Sequence, residues 1–280
     1  WKLLRFDTMG VLKSIPFLVM LVFAVVNFTG GAQFVDSLFG TKVYPVTYLM
    51  LEALQGSMGL FLFLIVTFYA GELVWKERQA KLHEVGDAMP VPNWVPLAAK
   101  CGAVLAVVAI FGIVGALAGM GFQLTRGYTQ FEPGVYLASL ALGAVPFVLM
   151  GLLGVAVQVF TNNKFMGYLV VILVYVSQLV LGLLDFDHNL MQFGGAPIAP
   201  YSDMNGFGHY LKGYGWFSLY WLLFVSALLL LAAAFWVRGT SPSGRERRRQ
   251  AAAKLRGPLG GALAATVAAW AGVGGWIYYN

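Results

Sequence analysis

Long apolar stretches separated by short polar ones dominate the chain. Seven reach the length at which a helix crosses the hydrocarbon of a bilayer, roughly 17–25 residues. They are residues 11–28, 49–70, 98–122, 134–160, 165–184, 215–237 and 258–279. The runs are apolar around their whole circumference, with neither strand alternation nor the ten-residue rhythm of a membrane barrel, so they predict helices. Pro146 falls in the middle of the fourth run and predicts a kink, because proline removes a backbone donor. Residues 1–10 differ: Trp1, Leu3, Leu4 and Phe6 stand against Lys2, Arg5 and Asp7. That pattern predicts a short elbow helix in the interface before the first span, with a frayed chain end as the competing reading.

Composition agrees with a membrane protein. Apolar residues make up 59% of the 280 and charged residues 11%, and the mean hydropathy is +0.75. A soluble domain carries about 25% charged residues and cannot cover its surface with fewer than half of that. A cytosolic enzyme, a disordered protein and a nucleic-acid binder are thereby excluded, despite the net charge of +6. The single cysteine, Cys101, lies in an apolar run and supports neither a disulfide framework nor a Cys-based zinc site.

The positive charges then orient the spans. Fifteen of the eighteen Lys and Arg fall on one side: around the first span, in the second-to-third connection, at Lys164 and in the tail after the sixth span. Only Lys42, Arg126 and Lys212 fall on the other. The positive-inside rule places the N-terminal end in the cytoplasm and the C-terminal end outside, anchored by Trp276, Tyr278 and Tyr279. The chain starts at Trp1 rather than Met and shows no secretory signal, which reads as a piece of a longer polypeptide.

The most informative polar segment follows the second span, from Gly71 to Pro92. Leu82, Val85 and Met89 share one helical face, Glu77 and Lys81 have the i,i+4 spacing of a favourable pair, and Pro90 ends the helix. A compact helix with one apolar stripe suits docking in a groove of a soluble partner; a solvated loop helix is the plainer alternative. The residues Glu72, Glu77 and Arg78, followed by Pro90, Pro92, Trp94 and Lys100, resemble the corresponding stretch of type-2 ABC transporter permeases. The resemblance covers about residues 1–240 and includes the elbow, the six spans and a re-entrant region between the fifth and sixth. It implies an all-α polytopic fold and a coupling helix that docks on an ATPase subunit. The coupling residues it implies are Glu72, Glu77, Arg78, Lys81 and Glu84. It also implies a second permease unit, the same chain or a different one, with ATP and Mg held by the partner subunit and no cofactor in this chain.

After the sixth span the chain departs from a plain permease. The run Arg245–Arg249 and the ending Gly-Gly-Trp-Ile-Tyr-Tyr-Asn resemble bacterial proteins in which permease units are fused to a zinc aminopeptidase. The seventh span would there be a tether. The arginine run also suits a topology anchor drawn to anionic lipid. Neither an ATPase phosphate loop nor a zinc-peptidase motif is present: His83-Glu84 is followed by Asp87 where the second histidine is required.

Remaining candidates are few. Glu52 is the one charge clearly inside a span, and Gln55 lies almost a turn deeper; both are candidates for an outer gate or pathway. Between the fifth and sixth spans, Asp185, Asp187, His188, Asp203 and His209 lack metal-ligand spacing, and a Pro/Gly-rich cap is the favoured reading. Gly112, Gly115 and Gly119 mark one face of the third span for close packing.

The predicted organisation is an elbow at 1–10 and a six-span permease domain at 11–237, containing a cytoplasmic coupling helix at 72–89 and an outer cap at 185–214. A basic linker at 238–257 and a seventh span at 258–280 follow. The predicted function is the permease subunit of an ATP-driven exporter in the bacterial inner membrane, with no catalytic site and no metal site of its own. The alternatives are a membrane anchor for an extracytoplasmic zinc aminopeptidase and a secondary transporter.

Overall fold

A computed structural model of the chain describes residues 1–35, 37–38, 41–42, 44–80, 91–186, 188–202, 204–237 and 243–279. In chain order the helices are α1 (Lys2–Leu12), α2 (Ile15–Val35), α3 (Thr47–Gln79), α4 (Trp94–Thr125) and α5 (Pro133–Thr161). They continue with α6 (Lys164–Leu183), α7 (Tyr210–Phe235), α8 (Gly244–Leu255) and α9 (Pro258–Tyr279). Among the described residues, seven of these helices, all but α1 and α8, are long and apolar enough to cross a membrane. They coincide with the seven apolar runs. The β-structure among the described residues is a two-residue antiparallel pair, β1 (Ser37–Leu38) with β2 (Thr41–Lys42), and one isolated bridge.

Helices α3 and α5 form the centre. They pack on each other and share α4 and α6 as neighbours, while α2 lies along α3 and α7 along α5. Small residues permit the approach. A Cβ added at Gly151 of α5 would stand 2.6 Å from Val104, and one at Gly154 would stand 2.8 Å from Ala70. The glycine face of α4 also turns inward within this chain, with Gly115 against Met58 and Gly119 against Tyr136 and Leu54. Helix α9 buries no residue and packs on α7 and α8 at the margin of the bundle.

Helix α5 runs unbroken through Pro146. Proline cannot donate to the carbonyl four residues back, which is Leu142. The Tyr214 hydroxyl of α7 donates to that carbonyl at 2.5 Å, so the acceptor freed by proline is satisfied from a neighbouring helix. Two buried glutamines tie the ends of the core. Gln123 donates to the Pro45 carbonyl at 2.8 Å and accepts from the Tyr136 hydroxyl at 3.1 Å. Gln158 accepts from the Trp75 indole at 2.8 Å and donates to the Lys164 carbonyl at 3.3 Å.

Helix α1 sorts its faces in a way that suits a membrane. Asp7, Thr8 and Val11 are buried, while Trp1, Phe6 and Met9 point away from the protein. Its main neighbour is α4, where Leu4 lies over Gly102.

Candidate functional site

One end of the bundle, formed by the C-termini of α3, α5 and α7 and the N-termini of α4 and α6, gathers most of the charges. Helix α3 carries its span past the apolar–polar boundary at Gly71 without a break, as far as Gln79. Glu72, Glu77 and Arg78 therefore lie on a rigid extension of the second span rather than on a separate surface helix. Each reaches a different neighbour. Glu72 pairs with Lys164 at the start of α6 at 2.5 Å. Glu77 pairs with Lys100 of α4 at 2.9 Å. Arg78 donates to Asn162 beyond α5 and to the Val237 carbonyl beyond α7, each at 3.0 Å. Lys81 and Glu84, with the rest of 81–90, lie outside the described residues.

Lys100 is fully buried and also faces Asp7 of α1 at 3.7 Å. A buried cation is retained only where opposite charge or hydrogen bonds compensate its lost hydration. Here the elbow helix supplies one carboxylate and the end of α3 the other. Burial raises the Asp7 carboxyl above its ordinary value, and the attraction of Lys100 only partly offsets that. Lys76 adds a contact across the Phe6 ring at 4.9 Å.

The same end holds an arrangement that sequence reading missed. Helices α5 and α7 both finish here, each leaving carbonyls without intrahelical partners and a partial negative charge. Helix α8 lies across them, opened by Ser243, whose hydroxyl accepts from the Glu246 N–H at 3.4 Å. Its Arg247 donates to the Phe160 carbonyl of α5 at 3.0 Å and to the Phe235 carbonyl of α7 at 3.2 Å, and also reaches the Val159 carbonyl. Lys254 donates to the carbonyls of Ala234 and Trp236, both at 3.1 Å. Burial, and secondarily the charge of Arg78, hold the Arg247 guanidinium below its ordinary range. Arg245, Arg248, Arg249 and Arg256 stay exposed. The i, i+4, i+7 spacing of Arg247, Ala251 and Lys254 was the available signal, since Ala251 is buried beneath the helix.

The opposite end holds the two remaining sequence candidates. Glu52 and Gln55 of α3 line a cavity of about 530 Å³ between α3, α5 and the segment Ala196–Tyr201. The turns leading into that segment are pinned between helices: Gln178 donates to the Phe193 carbonyl at 2.9 Å and the Trp221 indole to the Asn189 carbonyl at 3.2 Å. Gly194, at φ 73°, sits against Pro146, a left-handed turn that glycine adopts without strain. Asp187 and Asp203 lie outside the described residues. Among the described residues, no three His, Cys, Asp or Glu side chains cluster as metal ligands would.

Seven apolar helices around a small-residue core define an integral, all-α, polytopic membrane protein. Residues 11–178, more than half of the chain, match the family described as ABC-2 family transporter protein. The chain belongs to that family and is a permease component of an ABC transporter; permeases of this family normally work with an ABC ATPase subunit. The match ends within α6, so the cap, α7, α8 and α9 lie beyond it. No curated protein and no solved structure matches the chain.

Proposed function

We propose that this permease exports its substrate by coupling to ATP hydrolysis on a partner subunit, through the extended end of α3. The observation that carries this reading is the set of polar contacts made by Glu72, Glu77 and Arg78. They tie the last two turns of one central helix to α4, α6 and the ends of α5 and α7. A force on the segment that follows Gln79 therefore acts on four spans at once. In this reading Lys81 and Glu84 meet the partner, whereas Glu72, Glu77 and Arg78 transmit within the permease.

The charged end faces the cytoplasm, as fifteen of eighteen basic residues favour. The partner holds ATP and Mg, and its closure tilts the spans to open a pathway toward the cap. A second permease unit completes that pathway. The marginal position of α9 suits a span added to a six-span core, the place where a tether for an external domain would sit.

The experiment is a charge swap at the contact. Lys81→Glu with Glu84→Lys is expected to abolish co-purification with the ATPase and its stimulation, while membrane insertion and thermal stability stay as in the wild type. Unchanged ATPase stimulation in that variant contradicts the reading. Transport that survives ATP depletion and follows an ion gradient would favour a secondary transporter instead.

A further inference from the structure

A second space adjoins the cavity beside Glu52. Gln55 and Gly143 line both that cavity and this space, of about 270 Å³, between α3, α4 and α5. The two spaces differ in chemistry. The inner one is bounded by Met58, Leu62, Val108, Phe111 and Phe147, with Gln55 at its mouth. The outer one carries Glu52, Ser139 and a set of rings: Tyr48, Tyr201, Phe207 and Tyr214. The apolar part is lined along α3 from Leu54 to Leu62, about 12 Å by helix rise.

Three features of the outer space point to one kind of occupant. Glu52 has no ion-pair partner among the described residues, and no lysine or arginine lines the cavity there. Glu52 is exposed about 7 Å below the start of α3 by helix rise, and a carboxylate within a span ordinarily answers to a ligand or a counter-charge. The Ser139 hydroxyl is only 5% exposed, lines the cavity and has no hydrogen-bond partner. A buried hydroxyl left unpaired is unfavourable, so a polar group placed beside it is favoured. Four aromatic rings around a lone carboxylate favour a cation, through their electron-rich faces as well as through charge. An anionic head finds no counter-charge there, and a purely apolar molecule leaves both Glu52 and Ser139 unsatisfied.

We propose that the two adjoining spaces together bind a cationic amphiphile. Its ammonium head is held by Glu52 and Ser139 among the aromatic rings, and its apolar tail lies in the space between α3, α4 and α5. The proposal deepens the export reading by naming a substrate class, and it rests on that reading only for transport, not for binding. An ammonium on an apolar chain occurs both in single-chain amines and in aminolipids of the bilayer, and the same chemistry serves both.

The test uses the full chain in dodecyl maltoside micelles, without the ATPase or nucleotide, and radiolabelled decylammonium as the probe. Saturable binding above that of empty micelles is expected, undisturbed by excess decyl sulfate. Glu52→Gln, close to isosteric, should weaken binding about tenfold or more, as loss of one partner of a charge pair does. Glu132→Gln, at the same end but outside the cavity, should leave it unchanged. Gly143→Leu, which fills the junction of the two spaces, should also weaken it, and it carries the test if the Glu52 variant misfolds. Competition by lysyl-phosphatidylglycerol, a bilayer aminolipid of net positive charge, then separates the sources: displacement assigns the site to a cationic aminolipid, retention to a single-chain amine, and either upholds the proposal. Equal binding of decyl sulfate, or wild-type binding by both cavity variants, overturns it. Loss of charge-selective binding with ATP-driven transport intact removes this inference alone. Selective binding with ATP-independent transport removes the export reading alone.

Discussion

At the scale of single residues, the buried Lys100 with its two carboxylates carries the most consequence. Asp7 and Glu77 come from helices far apart in sequence, so the pair that fixes the elbow also fixes the end of α3. Because burial raises the Asp7 carboxyl above the ordinary aspartate value, the folded protein holds that proton to higher pH than the unfolded chain does. The stability contributed by this group is complete below the unfolded value and is lost as pH rises through the folded one. Asp7→Asn keeps the shape of the protonated acid. Its unfolding temperature relative to wild type should therefore be higher at about pH 8 than at about pH 4. Thermal unfolding in detergent at the two pH values measures this, and a relative stability that falls between pH 4 and 8 would contradict it. The sequence marked Lys100 as a positive-inside charge and as part of the permease-like stretch, and Asp7 only as the polar side of an elbow. Their meeting depends on how α1 lies against α4, and no local pattern encodes that.

Elements show what an apolar pattern can and cannot convey. All seven spans were legible, because a run of about 20 apolar residues has few alternatives to a membrane helix. The end of α3 was not: Gly71 and the change from apolar to charged at Glu72 look like the end of an element, yet no proline stands there, and the charges find partners on α4 and α6. The arginine run was legible as basic but not as two-sided. On α8, Arg247 binds the open carbonyls of α5 and α7, whereas its neighbour Arg248 faces outward. Arg247→Met should therefore destabilise the protein by about 2–3 kcal/mol, the range for charged hydrogen bonds lost to buried acceptors. Arg248→Met should change stability by no more than about 0.5 kcal/mol, as surface substitutions do. Equal thermal stabilities for the two variants would show that α8 does not cap the ends of α5 and α7.

For the whole molecule, one shared helix runs between the two ends of the bundle, to which the proposed reading gives separate tasks. Helix α3 carries Glu52 and Gln55 beside the outer cavity and Glu72, Glu77 and Arg78 in the charged end. Sequence reading selected Glu52 and Gln55 because charge inside a span is rare, and Glu72, Glu77 and Arg78 through the resemblance to type-2 ABC permeases. It passed over Ser139 and Tyr214, whose importance comes from the cavity wall and from the carbonyl that Pro146 leaves open. In the proposed reading, a central helix tied to its neighbours at the charged end passes a partner's closure along its length. The direct test breaks the anchors without touching the segment that meets the partner. Glu72→Gln with Glu77→Gln, reconstituted with the ATPase in proteoliposomes, should bind the partner as the wild type does. It should lose about tenfold of the stimulated ATP hydrolysis, a coupling free energy in the usual 1–3 kcal/mol range. Full stimulation with both ion pairs removed would contradict the claim that the end of α3 carries the motion.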